Sequence, residues 1–181
     1  MRIESVRALS LALALIVSGC ARAAIGQEQE AVASPTMPPI GVTVGMRAPD
    51  LELRTLDGDT IRLSDLRGQP VMINFWAVWC GFCRTELPEM QQAFEAYRDQ
   101  GFTILAVDVQ EDRSVVAPLV DELGLAFPVL LDSEAEVSRS YRVRGLPTSY
   151  FVDQNGVIIG RELGAIDKAW IETYLAQAGV E

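Results

Sequence analysis

The segment Trp79-Cys80-Gly81-Phe82-Cys83-Arg84 constrains the fold more than any other, because of what stands on either side of it. Before it, Val71-Met72-Ile73-Asn74-Phe75 is nearly continuous apolar sequence, as expected of a central strand covered on both faces. After it, Cys83, Leu87, Met90, Phe94 and Tyr97 recur at spacings of four and three. That spacing predicts one buried stripe along a helix, which Pro88 should kink. The cysteines therefore sit at a strand-to-helix turn. Backbone N–H groups and the positive end of the helix there favour thiolate over thiol at Cys80, and thiolate is the reactive species. Cys83, three residues on, is close enough to close a disulfide with Cys80. The local chemistry reads as a reversible dithiol/disulfide switch.

Strands and helices alternate along the rest of the chain. Residues 51–54 and 60–63 predict short strands around Asp57-Gly58, a hairpin-type turn signal. Residues 102–109 predict a second buried strand, followed by a helix over 115–123 in which Pro118 fits only near the first turn. Ser133-x-x-Glu136 is a capping-box signal for a helix reaching about Tyr141. Residues 148–152 and 157–163 predict an antiparallel hairpin turning at 153–156. Asp167 is placed to cap a last helix with Trp170, Ile171, Tyr174 and Leu175 on one face. No internal repeat is visible. The fold class is α/β, a sandwich of about 135 residues.

The N-terminus has a different logic. Arg2 and Arg7 give a basic start, residues 8–17 are apolar, and Ser18-Gly19 supply small residues before Cys20. An apolar run of about ten residues is too short to span a bilayer, which takes about twenty. Val17-Ser18-Gly19-Cys20 resembles the bacterial lipobox, whose cysteine is acylated and becomes the mature N-terminus. Residues 1–19 are then expected to be a lipoprotein signal peptide and Cys20 the lipidation site, with plain secretion or an uncleaved anchor as the alternatives. Residues 20–44, rich in Ala, Gln, Glu, Ser and Pro without an apolar face, read as a flexible tether with a reach of roughly 25–30 Å. The folded domain is expected at 45–181. With Cys20 lipidated, Cys80 and Cys83 are the only thiols, in a compartment where disulfides persist.

Composition removes several classes of function. The net charge of −10 argues against nucleic acid, which needs clustered cations. The absence of histidine excludes Ser-His-Asp and Cys-His nucleophiles, an imidazole base and His-ligated zinc, copper or haem. One C-x-x-C supplies two ligands where structural zinc needs about four. A purely structural disulfide restrains little chain across so short a loop. Metal delivery is a third alternative, although soft metal sites recruit His or extra Met.

Phe75-Trp76-Ala77-x-Trp79-Cys80-x-x-Cys83, the distal Gly145-Leu146-Pro147-Thr148 and the order of elements resemble the thioredoxin fold over most of residues 45–178. The N-terminal hairpin and the inserted helical segment at 114–141 are similar to the TlpA/ResA branch of membrane-tethered, extracytoplasmic thiol-disulfide oxidoreductases. The resemblance implies a thioredoxin-like fold with a central mixed β-sheet flanked by helices. It implies Cys80 as attacking nucleophile, Cys83 as resolving thiol, and a cis Leu146-Pro147 bond facing them and pairing with substrate. Glu86, six residues after Cys80, matches a glutamate of the ResA-like pattern and is a candidate to exchange a proton with Cys83. The alternative is a solvated helix glutamate. Asn74 stands where thioredoxin has a buried aspartate. Trp79 is expected to shield the cysteines and offer a docking surface, and Trp76 to be core. Phe82 replaces a proline common in the family and is expected to add a contact surface and an N–H near the Cys80 sulfur. No cofactor and no metal are implied. The expected partners are disulfide-bearing exported proteins, apocytochrome c among them, a membrane thiol transporter as electron donor, and the membrane through the lipid anchor. The direction is expected to be reduction, with a thiol oxidant or isomerase, or a metal-binding or structural module, as the alternatives.

Overall fold

The computed structural model describes residues 37–180. Cys20, the expected leader and most of the expected tether lie outside them. The elements run β1 (Glu52–Thr55), β2 (Thr60–Arg62), β3 (Val71–Trp76), α1 (Gly81–Tyr97), β4 (Thr103–Val109), α2 (Arg113–Leu123), β5 (Val129–Asp132), α3 (Glu136–Ser140), β6 (Thr148–Val152), β7 (Ile158–Leu163) and α4 (Lys168–Gln177). They form a seven-stranded mixed sheet in the order β2-β1-β5-β4-β3-β6-β7. Among the described residues, no helix is long and apolar enough to cross a membrane.

β3 is central and buried at every residue, which is why its sequence is apolar on both faces. Met72 and Trp76 join the core under α1, α2 and α4, with Leu87, Met90, Leu119 and Ile171. Val71, Ile73 and Phe75 face the other way, into a core shared with Leu51, Leu63, Tyr141 and Tyr150. β4 runs parallel to β3 and β5 parallel to β4, whereas β6 is antiparallel to β3 with Phe75 opposite Thr148. This register gathers the C-terminal ends of β3, β4 and β5 with the segment entering β6 at one sheet edge. Carboxyl ends of parallel strands are where α/β sheets place their sites.

Four local expectations are revised. The packed chain begins before Gly45: Val42 is buried, Ile40 bridges Arg47, and Gly41 N–H bonds Arg47 O at 2.9 Å. β5, which no sequence signal singled out, occupies the segment between α2 and α3. Ser133 caps nothing; its hydroxyl donates to Glu111 O, and the Asp132 carboxylate accepts from Val137 and Ser138 N–H at 3.1 and 2.7 Å. Pro118 lies well inside α2, on its exposed side, because the helix starts at Arg113 and is anchored by buried Val116 and Leu119. By contrast Asp167 does cap α4, accepting from Trp170 N–H at 2.8 Å.

α4 packs through a ring cluster in which Tyr174 stacks on Phe151 with centroids 5.7 Å apart. Gly160 of β7 lies beneath it, and a Cβ there would come within 2.5 Å of the Tyr174 ring. A rigid stacked ring cannot yield without disturbing Phe151. Gly160→Ala is therefore expected to destabilise the fold by about 1–3 kcal/mol, measured by denaturant unfolding. An unchanged midpoint would show that α4 shifts freely.

Candidate active site

Cys80 is the N-cap of α1. Its backbone is extended, and its sulfur accepts a hydrogen bond from Cys83 N–H at 3.2 Å. The pair is bonded as a disulfide with its Cα atoms 5.3 Å apart. Cys80 keeps 5 % of its surface exposed and Cys83 none. An outside thiolate or disulfide therefore meets Cys80 first. In this disulfide form the N–H that bonds the Cys80 sulfur belongs to Cys83. Phe82 and Trp79 are exposed apolar surface, 73 % and 72 % accessible. Large aromatic rings held open beside a disulfide are unfavourable in water unless a partner covers them.

The Leu146-Pro147 peptide bond is cis. Pro147 is buried, and its loop is held by Thr148 Oγ1 donating to Gly145 O at 2.7 Å and Gly164 N–H donating to Pro147 O at 2.9 Å. Because Phe75 faces Thr148 across the β3–β6 ladder, this loop lies at the strand end from which the cysteines emerge. Trp79 and Leu146 line a groove of about 380 Å³, together with Val109, Gln110 and Ala135. Gln110 and Ala135 hold left-handed backbone there, with φ of 64° and 55°, a conformation that non-glycine residues adopt rarely.

Glu86 is not a solvated helix residue: it is 1 % exposed. Its Oε1 accepts from Asn74 Nδ2 at 2.8 Å and its Oε2 from Ile166 N–H at 2.9 Å. It lies one turn after Cys83 on α1 and joins that helix to β3 and to the segment entering α4. Burial pushes its carboxyl up to about 7, against the two hydrogen bonds, which favour the charged form. Asn74 also donates to Ser149 Oγ at 2.9 Å, and its own Oδ1 has no partner. The amide can therefore turn either edge to Glu86, donating to a carboxylate or accepting from a carboxylic acid, while the Ser149 hydroxyl adapts to both. The site accommodates either protonation state of Glu86.

Comparison with known proteins agrees with this geometry. Residues 44–161 match the AhpC/TSA family. The chain is 40% identical over 134 residues to the thiol-disulfide oxidoreductase ResA of Geobacillus kaustophilus, covering 74% of this chain and 77% of that protein. It is likewise 40% identical over 136 residues to ResA of Oceanobacillus iheyensis, covering 73% and 71%. The chain belongs to the AhpC/TSA family. Among solved structures, a thiol:disulfide interchange protein of the thioredoxin family from Chlorobium tepidum superposes with a TM-score of 0.68 at 29% identity, covering 73% of this chain and 94% of that one. The protein is thus a thiol-disulfide oxidoreductase on a thioredoxin fold, and Cys80–Cys83 is its disulfide-forming pair.

The turn before Cys80 is backed by two residues that sequence reasoning missed. Asp108, at the end of β4, is fully buried, and neither carboxyl oxygen has a donor. It lies against Glu111, whose Oε2 accepts from Val78 N–H at 2.6 Å, two residues before Cys80. Burial first, then the neighbouring Glu111 and Asp132 charges, push the Asp108 carboxyl far above the usual range. Glu111 accepts from the Val78 amide, and burial beside this neighbouring acid favours the protonated form of Asp108. The signal was available: Asp108 is the one acid in a strand that is apolar but for Thr103.

Proposed function

We propose that the protein reduces disulfides in exported polypeptides, held near a membrane by lipid on Cys20. In the reduced enzyme the Cys80 thiolate attacks a target disulfide, forming a mixed disulfide and releasing one target thiolate. Cys83 passes its proton to Glu86 and attacks the Cys80 sulfur. The target leaves with both its sulfurs reduced, and Cys80–Cys83 is left oxidised. Two electrons have moved from the pair to the target, and a membrane thiol transporter restores them. Trp79, Phe82, Leu146 and Pro147 receive the target chain, apocytochrome c being one candidate.

The observation that carries this reading is the asymmetry of the pair: one sulfur reachable at a helix N-terminus, the other sealed, one helical turn before a buried carboxyl. Membrane tethering rests on the lipobox-like residues 17–20 alone. Cys83→Ser tests the mechanism, because it blocks resolution and should hold targets on Cys80 as mixed disulfides. These are resolved by non-reducing electrophoresis and released by dithiothreitol. Failure to trap any partner, with no disulfide reductase activity in the intact protein, sinks the proposal. A measured reduction potential near that of strong oxidants, about −120 mV, would reverse the direction to thiol oxidation.

A further inference from the structure

We infer that the groove leading away from Trp79 selects targets with acidic residues beside the disulfide, an inference that rests on the reductase reading above. The chain as a whole is acidic, with 25 Asp+Glu against 15 Lys+Arg. Around the cis-proline loop that balance reverses. Arg139 and Arg144 line the groove with Trp79 and Leu146, and Arg144 meets Arg142 and Arg161 in the adjoining depression. All four arginines are exposed. The ion pairs among the described residues, Arg62–Glu52, Arg98–Asp99 and Lys168–Glu172, involve none of them.

Their remaining contacts are few. Arg139 donates to Glu134 O at 2.7 Å, and Arg161 lies over the Tyr150 ring at 5.6 Å. Glu134 and Glu136 line a separate depression with Glu52 and Asp132. Glu162 alternates to the opposite face of β7 from Arg161. Guanidinium groups left without carboxylates offer planar forks that bind a carboxylate through two parallel hydrogen bonds.

The position of the groove says which part of a partner fills it. Trp79 precedes Cys80 and Leu146 precedes Pro147, so a chain with its cysteine at Cys80 places neighbouring residues here. Asp or Glu at those places finds Arg144 and Arg139, whereas Lys or Arg meets repulsion. A flat anionic membrane fits less well, because Arg139 and Arg144 line a concavity walled by Val109, Gln110 and Ala135.

The test uses the full chain and three disulfide-bridged peptides identical except for Asp, Ser or Lys flanking the cysteines, with kcat/KM measured for each. The Asp peptide should be reduced about tenfold faster than the Lys peptide at low salt, and the ratio should shrink as salt is raised. Arg139→Ser with Arg144→Ser should bring the ratio towards one, and Arg139→Glu with Arg144→Glu should invert it. Each ratio is taken within one protein, so changes in folding or turnover cancel. Equal wild-type rates on Asp and Lys peptides overturn the inference and leave the reductase reading standing; no reduction of any peptide overturns that reading instead. A ratio that persists in both double variants also refutes the groove. So does loss of binding to phosphatidylglycerol vesicles in those variants with the peptide ratio unchanged, which would assign the arginines to lipid.

Discussion

Glu86→Gln is expected to remove the inflection near pH 7 from the rate of disulfide reduction and to slow the reaction above that pH by about 10²-fold. Cys83 is sealed from water, so its proton needs a neighbouring acceptor before the sulfur can resolve the mixed disulfide. Glu86 accepts only as carboxylate, and burial holds it protonated up to about 7. The wild-type rate should therefore climb as pH passes through 7. Glutamine keeps the shape and, with Asn74 turned, a hydrogen bond, but has no proton to exchange. The variant should rise only where the thiols themselves titrate. Single-turnover reduction followed from pH 5.5 to 9 separates the two profiles. A slowed enzyme that keeps its inflection near 7 would make Glu86 a packing residue and nothing more. Stability carries an independent sign. Because the folded carboxyl holds its proton above the reference value of 4.5, folding weakens as pH rises from 4.5 to 7 and is level beyond. Glu86→Gln should flatten that slope.

The legible parts of this fold were those written in periodicity and in short motifs. The α1 stripe, the buried β3, the β6–β7 hairpin and the Asp167 cap all follow from local patterns that tertiary packing then respected. The cysteine turn was legible for the same reason, since a C-x-x-C opening a helix dictates its own geometry. What local pattern missed was set by partners distant in sequence. Ser133 and Glu136 have the spacing of a capping box, yet it is Asp132, at the end of β5, that accepts from the first-turn amides of Val137 and Ser138. Glu86 is a candidate from its place one turn after Cys83, but its burial depends on Asn74 and on Ile166, eighty positions away, whose N–H binds its carboxyl. The arginines at 139, 142 and 144 carry no periodic signal. They become a surface only when α3 and the cis-proline loop meet.

Asp108→Asn is expected to stabilise the fold above neutral pH by about 1–3 kcal/mol, the scale of a buried polar group left unpaired. The folded carboxyl keeps its proton up to about 8, against a reference of 3.8, because burial and the Glu111 charge both oppose ionisation. The unfolded chain releases the proton near 4. Between those values the folded state binds more protons, so wild-type stability falls as pH rises and levels off above about 8. Asparagine imitates the protonated acid in shape and has no charge to desolvate. Urea unfolding at pH 5 and pH 8.5 should show the variant close to wild type at the lower pH and well above it at the higher. Equal gains at both would mean that packing and not charge is responsible. Asp108→Leu is the complementary case, for it removes the buried acid that lies against Glu111, the acceptor of the Val78 amide. That variant should loosen the 77–80 turn, and the loosening is read directly as a faster exchange of the Val78 amide hydrogen. Two buried acids thus flank the cysteine turn, Glu86 below Cys83 and Asp108 behind Val78. If Glu86 takes the Cys83 proton, a rise in pH frees the first for that role while it weakens the fold through the second.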